Sequence, residues 1–116
     1  MRWYIDGSGW NMKESKACVV SEDGKKLKIK LKEAKTSNEM EYEALMQALS
    51  IASKDDIILT DSQLVVGQVI KNWRVNKCHL KHYVREAKKL VRDIGVTLIW
   101  IPREENLAGQ VLEHEN

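Results

Sequence analysis

Cysteine is scarce in this chain: Cys18 and Cys78 are the only two among 116 residues. They form no CxxC pair and have no cysteine neighbours, which argues against a structural zinc site and a disulfide-stapled scaffold. A single bridge between them stays open, with free thiols in a reducing compartment as the expectation. No apolar run approaches the roughly 20 residues that span a bilayer. No signal-peptide pattern opens the sequence, so a cytoplasmic location away from membranes is expected. Linkers, low-complexity stretches and internal repeats are also absent, so residues 1–116 read as one domain. Neither sign of charge dominates: 19 Lys and Arg stand against 17 Asp and Glu, a net charge of +2. Bulk charge therefore names no partner.

The distribution of charge is more informative. Lys71, Arg74, Lys77, Lys81, Arg85, Lys88, Lys89 and Arg92 crowd one segment, opposed there by Glu86 and Asp93 alone. Three acidic residues fall instead at points of punctuation: Asp6 before Gly7-Ser8-Gly9, Glu41 after Thr36-Ser37-Asn38, and Asp61 in Leu59-Thr60-Asp61-Ser62. Residues 2–6, 17–20 and 27–32 read as strands on tight turns, an antiparallel meander. Strict alternation in 27–32 turns its lysines to water and its aliphatics to a core. From 38 to 53 the period becomes helical, with Leu45, Ala48, Leu49 and Ala52 on one stripe. Glu41 lies on that same stripe, four residues before Leu45. A carboxylate on the core face of a helix is costly unless it is used. Residues 56–60 form a short buried strand, and Asp61-Ser62 opens a helix running to Val69. A helix over 80–94 stops at Gly95, a last strand over 96–101 ends at Pro102, and residues 107–113 form a short final helix.

Taken singly, Asp6 is an ordinary turn residue and Asp61 a helix cap. Taken together they end two strands that can neighbour one another in one sheet, at the edge where open α/β sheets bind ligands. Gathered carboxylates repel, and a divalent cation with hard oxygen ligands relieves them. A basic region beside an acidic metal site suits an enzyme that cuts a polyanion.

Four stretches carry a family resemblance: Tyr4-Ile5-Asp6-Gly7-Ser8, Thr36 to Tyr42, Leu59 to Val65, and Leu98-Ile99-Trp100-Ile101-Pro102-Arg103-Glu104-Glu105-Asn106. In this order the chain resembles a type 1 ribonuclease H of the compact archaeal and retroviral-like branch, which lacks a basic protrusion. The resemblance covers essentially the whole chain. It implies an α/β ribonuclease H-like fold, with a five-stranded mixed sheet (three antiparallel, then two parallel strands) flanked by helices. It also implies endonucleolytic hydrolysis of the RNA strand of an RNA·DNA hybrid with Mg²⁺ or Mn²⁺, by a two-metal-ion mechanism. Asp6 would bridge both ions, Asp61 would support the nucleophile side, and Glu41 the leaving-group side and a ribose 2′-hydroxyl. Ser37, Asn38 and Gln63 match positions that touch the hybrid's minor groove, and Gly7 and Ser8 present backbone groups to the same strand. A monomer with no obligate protein partner is the expectation.

The sequence departs from the family at its fourth acidic ligand, which ordinarily follows as Asn-x-x-Ala-Asp. Here Asn106 is followed by Leu107-Ala108-Gly109-Gln110. Gln110 takes the place of the aspartate without a gap, and Gly109 takes it with one deletion. Asn106 itself is the favoured fourth ligand through its amide oxygen, against Gln110, Glu105 or no fourth ligand at all; it also suits a helix N-cap. The family's mobile histidine is missing too, leaving Arg103 as its replacement or as a plain surface residue. Trp73, with Arg74 and Lys77 beside it, either grips the DNA strand by stacking or closes the core. Two alternatives to hybrid cleavage remain: a nucleic-acid-binding module weakened in catalysis, and a nuclease acting on duplex RNA.

Overall fold

The computed structural model describes residues 1–114. Its strands are β1 (Arg2–Ser8), β2 (Ser15–Ser21), β3 (Lys26–Leu31), β4 (Ile57–Thr60) and β5 (Thr97–Trp100). Its α-helices are α1 (Ser37–Ile51), α2 (Gln63–Val69), α3 (Lys81–Ile94) and α4 (Leu107–Glu113), with single 3₁₀ turns at Cys78–Leu80 and Arg103–Glu105. The strands form one sheet in the order β3-β2-β1-β4-β5. β1 pairs antiparallel with β2, and β2 with β3; β1 pairs parallel with β4, and β4 with β5. The expected fold, three antiparallel strands followed by two parallel ones, is the fold observed.

Strand alternation sorts the residues into two layers. On one face Ile5, Ala17, Val19 and Ile58 pack with Leu45 and Ala48 of α1 and Val84 and Ala87 of α3. On the other, Tyr4, Cys18 and Val20 pack against Ala108, Val111 and Leu112 of α4. Cys18 is buried and Cys78 is exposed, and no disulfide joins them, as expected. At the edge, β3 buries its aliphatic residues only in part: Leu27 is exposed, and Ile29 and Leu31 are half-buried. The alternation of its lysines is real, but among the described residues the sheet has no further strand to cover that flank.

The helix starts are built as local chemistry dictates. Thr36 caps α1 in a reciprocal box, with Glu39 N–H donating to Thr36 Oγ1 at 3.1 Å and Thr36 N–H donating to Glu39 Oε1 at 3.0 Å. Ser62, not Asp61, caps α2: its Oγ accepts from Val65 N–H at 3.1 Å, which leaves the Asp61 carboxylate uncommitted to the helix. Gly95 ends α3 in the left-handed region at φ 85°.

One glycine decides how the layers meet. α1 crosses β1 at Gly7, where a Cβ would overlap the backbone of Met40 and Glu41. Only a residue without a side chain lets the helix come this near the strand. Gly7→Ala is expected to destabilise the fold by about 3 kcal/mol, since backbone on both sides prevents relief. A chemical-denaturation midpoint close to that of the parent protein would disprove this packing.

Candidate active site

Register brings the first two carboxylates together. In the parallel β1–β4 pair, Ile5 lies opposite Thr60. The next residues, Asp6 and Asp61, therefore leave neighbouring strands at the same level. β1 continues to Ser8 because β2 still pairs with it there, whereas β4 has ended, so Asp6 is not the strand end that its sequence context suggests. Glu41 arrives from α1, which the Gly7 contact holds against β1. One oxygen from each of Asp6, Glu41 and Asp61 lies within 4.8 Å of the others. Asp6 and Glu41 are buried, and Asp61 is half-buried. A cavity of about 420 Å³ opens over Asp6 and Glu41, lined also by Gly7, Ser8, Ser37, Arg103, Leu112 and Glu113.

The electrostatics are those of a crowded anionic notch. Burial first, and then the negative charges of Asp6 and Asp61, push the Glu41 carboxyl up to about 10. Burial and Asp61 also raise Asp6, while hydrogen bonding to Glu41 and the nearby Arg103 charge oppose that rise. At neutral pH the Asp6–Glu41 pair therefore holds one proton between its two carboxyls. Asp6 Oδ1 and Glu41 Oε2 are buried and have no hydrogen-bond partner. Orphaned hard oxygens on converging carboxylates fit a Mg²⁺ or Mn²⁺ ion, whose binding would replace the shared proton.

Asn106 is fully buried and caps α4, with its Oδ1 accepting from Ala108 N–H at 3.1 Å. Its Nδ2 donates to Ile5 O at 2.9 Å and to Asp61 Oδ2 at 3.0 Å. Turning the amide over would set nitrogen against the Ala108 N–H and oxygen against the Ile5 carbonyl, so both neighbours fix its orientation. The amide oxygen, expected to face a metal, is spent on the cap of α4 instead. Asn106 presents a donor to the site and steadies Asp61.

The RNase H family model matches residues 1–109. The chain belongs to the RNase H family. LC11-RNase H1, solved in complex with an RNA/DNA hybrid, is 23% identical, with 96% of this chain and 91% of that one aligned at a TM-score of 0.78. RNase H1 from the halophilic archaeon Halobacterium salinarum NRC-1 is 25% identical over 96% of this chain and 92% of its own, with a TM-score of 0.77. An N-terminal RNase H domain from Mycobacterium tuberculosis is 23% identical over 97% and 92%, with a TM-score of 0.75. The chain is a ribonuclease H enzyme by this membership.

The residues weighed for a fourth ligand diverge in this RNase H fold. Gln110 points away, its Nε2 donating to the Glu104 carbonyl at 3.1 Å, and Glu105 is exposed. Gly109 faces the site: a Cβ there would stand 3.5 Å from Asp6 Oδ2 and 3.7 Å from Asp61 Oδ2. Arg103 Nη1 lies 3.3 Å from Asp61 Oδ2, and its Nη2 3.2 Å from Glu113 Oε1. Nothing in the spacing of Arg103 and Glu113 alone announces that pairing.

The other singled-out residues of this RNase H chain do not all meet at the carboxylates. Ser37 accepts from Gly9 N–H at 3.2 Å, tying the β1–β2 loop to the start of α1 beside exposed Asn38. Gln63 opens α2 and lines a second cleft of about 250 Å³ with Val66, Lys71, Trp73 and Trp100. Trp73 resolves its two readings in part: it is 45% exposed, yet it packs so closely on Gly67 that a Cβ there would enter its ring. Arg74 and Lys77 are exposed on the same loop. Trp100 was not foreseen as a site residue, and its indole N–H donates to the Asp61 carbonyl at 3.1 Å, bracing the end of β4.

The raised Glu41 has a sign-definite consequence. Its folded value of about 10 lies above the ordinary 4.5, so the folded protein holds a proton that the unfolded chain releases between those two values. Metal-free stability should therefore fall as pH rises from about 5 toward 10, by at most about 1.4 kcal/mol per pH unit. Glu41→Gln should flatten this slope and raise the midpoint in EDTA at pH 8. Thermal melts across pH in EDTA check it, and an unchanged slope in the variant would refute the shared proton.

Proposed function

We propose that this ribonuclease H hydrolyses the RNA strand of RNA·DNA hybrids, using two divalent ions, Mg²⁺ or Mn²⁺, held by Asp6, Glu41 and Asp61. The observation that carries the reading is the convergence of three carboxylates, two of them with a buried oxygen that has no partner. Bound ions of this kind supply a nucleophilic water at neutral pH and stabilise charge on the leaving oxygen.

The protein's own residues do the rest. Asp6, on the central strand and between the other two carboxylates, is the ligand best placed to serve both ions. Asp61 is kept in position by Asn106 and Trp100, so Asn106 acts as a positioning residue. Glu41 must lose its shared proton to ligate, which couples metal binding to proton release. Gly7, Ser8 and Ser37 line the cavity, Asn38 follows Ser37 at the start of α1, and Gln63 opens the helix just after Asp61, a set of polar groups suited to the minor groove of a hybrid. Trp73, with Lys71 over its ring at 5.9 Å, offers one exposed aromatic edge flanked by cations for the other strand.

Purified protein incubated with labelled hybrid, duplex RNA and duplex DNA, in Mg²⁺ and in Mn²⁺, tests this directly. Cleavage of the RNA strand of the hybrid in at least one metal is expected, and none of duplex DNA. Binding of hybrid without cleavage in either metal would leave a nucleic-acid-binding module instead. Asp61→Asn should lower turnover by about 100-fold or more while the protein stays folded. Asn106→Ala should lower both, since it removes a helix cap worth about 1 kcal/mol and the donor to Asp61. Activity equal to the parent in Asn106→Ala would remove it from the site.

A further inference from the structure

The three carboxylates share the mouth of their cavity with a cation of the protein's own. Arg103 Nη1 stands 3.3 Å from Asp61 Oδ2 and 3.8 Å from Asp6 Oδ1, while Nη2 reaches Glu113 Oε1 at 3.2 Å. One planar guanidinium thus joins two carboxylates of the site to a third outside it. The inner partners are desolvated, with side-chain exposures of 2% for Asp6 and 9% for Asp61; Arg103 and Glu113 are 57% and 56% exposed. The cation therefore leans into the notch from the solvent side and is held there from both ends.

Two local features produce the arrangement. Arg103 opens the 3₁₀ turn that follows β5, close to the end of β4 from which Asp61 emerges. Glu113 lies four residues after Gly109, one turn along the same face of α4. Gly109 leaves that face bare beside the two aspartates, and the first carboxylate along it is the one bound to Arg103.

We propose that Arg103 is a resident counter-cation of this site, one that a divalent ion has to displace, and that Glu113 is a positioning residue that draws the guanidinium aside. The proposal rests on the metal-dependent reading above. A guanidinium cannot shed its charge at any working pH, so it yields the site only by moving. An ion ligated by Asp6 and Asp61 competes for the oxygens that now face Nη1, and the two cations repel. Glu113 gives the displaced guanidinium a partner outside the notch and so eases its departure. Metal affinity is then set by a competition within the protein and not by the three ligands alone.

The two partners of this pair carry opposite predictions. Mn²⁺ alone, titrated into the whole protein without nucleic acid by calorimetry or by electron paramagnetic resonance of free Mn²⁺, reads occupancy independently of turnover. Arg103→Gln should tighten Mn²⁺ binding by about three- to tenfold, the scale expected for losing two partly exposed ion pairs. Glu113→Gln should weaken it, and should have no effect when Arg103 is already Gln. Unchanged or weaker binding in Arg103→Gln overturns the proposal, whereas the metal reading survives if the parent protein binds. Glu113→Gln weakening binding equally in both backgrounds also overturns it, because Glu113 would then act on the ion directly. Failure of the parent protein to bind Mn²⁺ overturns both. Circular dichroism melts in EDTA, taken alongside, show that each variant titrated is folded.

Discussion

The parallel pairing of β1 with β4 is the constraint from which the rest of the site follows. Its register sets Ile5 against Thr60, so the two residues after them, Asp6 and Asp61, are neighbours whatever their side chains prefer. Hydrophobic packing on the α1 face enforces that register, because a slip by one residue would send Ile5 and Ile58 to the wrong layer. The apolar core thus supplies the work of holding two like charges together. Gly7 adds the third by admitting α1, and with it Glu41, to the same end of the sheet.

Holding three carboxylates in a notch from which water is largely excluded has a cost, and the metal-free protein meets it in three ways. A proton shared by Asp6 and Glu41 removes one charge. Asn106 and Arg103 each direct an N–H at Asp61 Oδ2, and Arg103 brings a full positive charge. What stays uncompensated is local and specific: one oxygen of Asp6 and one of Glu41. Those two atoms are where a hard cation gains most, because neither has a hydrogen bond to give up and only the Arg103 guanidinium, 3.8 Å from Asp6 Oδ1, competes for one of them.

Much of this was legible in the sequence because strand alternation, helical period and turn chemistry are local properties. They placed Asp6, Glu41 and Asp61 at element ends, and the resemblance supplied the topology that joins them. The misreadings have equally physical origins. Asp6 looked like a strand terminus because Gly7-Ser8-Gly9 is a turn-like run, but β2 pairs with it through Ser8. Asn106 was expected to offer its oxygen, whereas the choice between its two amide ends is made by the Ala108 N–H and the Ile5 carbonyl, the second a hundred residues away in sequence. The link from Arg103 to Glu113 depends on how the 3₁₀ turn after β5 faces α4, a tertiary relation with no periodic signal. Trp100 read as one more residue of the last strand, and only the placement of β5 beside β4 reveals its indole as a brace for Asp61.

The substitution pattern around Gly109 changes what kind of site this is. A fourth carboxylate would raise metal affinity, but it would also add a negative charge beside two others, and at about 4 Å each such pair costs about 4 kcal/mol at an effective dielectric of 20. This chain has bare backbone at Gly109, a neutral donor at Asn106 and a cation at Arg103. Three carboxylates less one shared proton leave two negative charges, and Arg103 offsets one of them. A notch of low net charge repels an approaching phosphodiester less than a fully ionised one does. The compact fold has few other means of attracting a polyanion to that point, since its densest run of cations lies on α3 and the loop before it. Reduced repulsion at the site follows from this arrangement of charge, and so does a weaker hold on the metal if Arg103 competes with the ion as proposed.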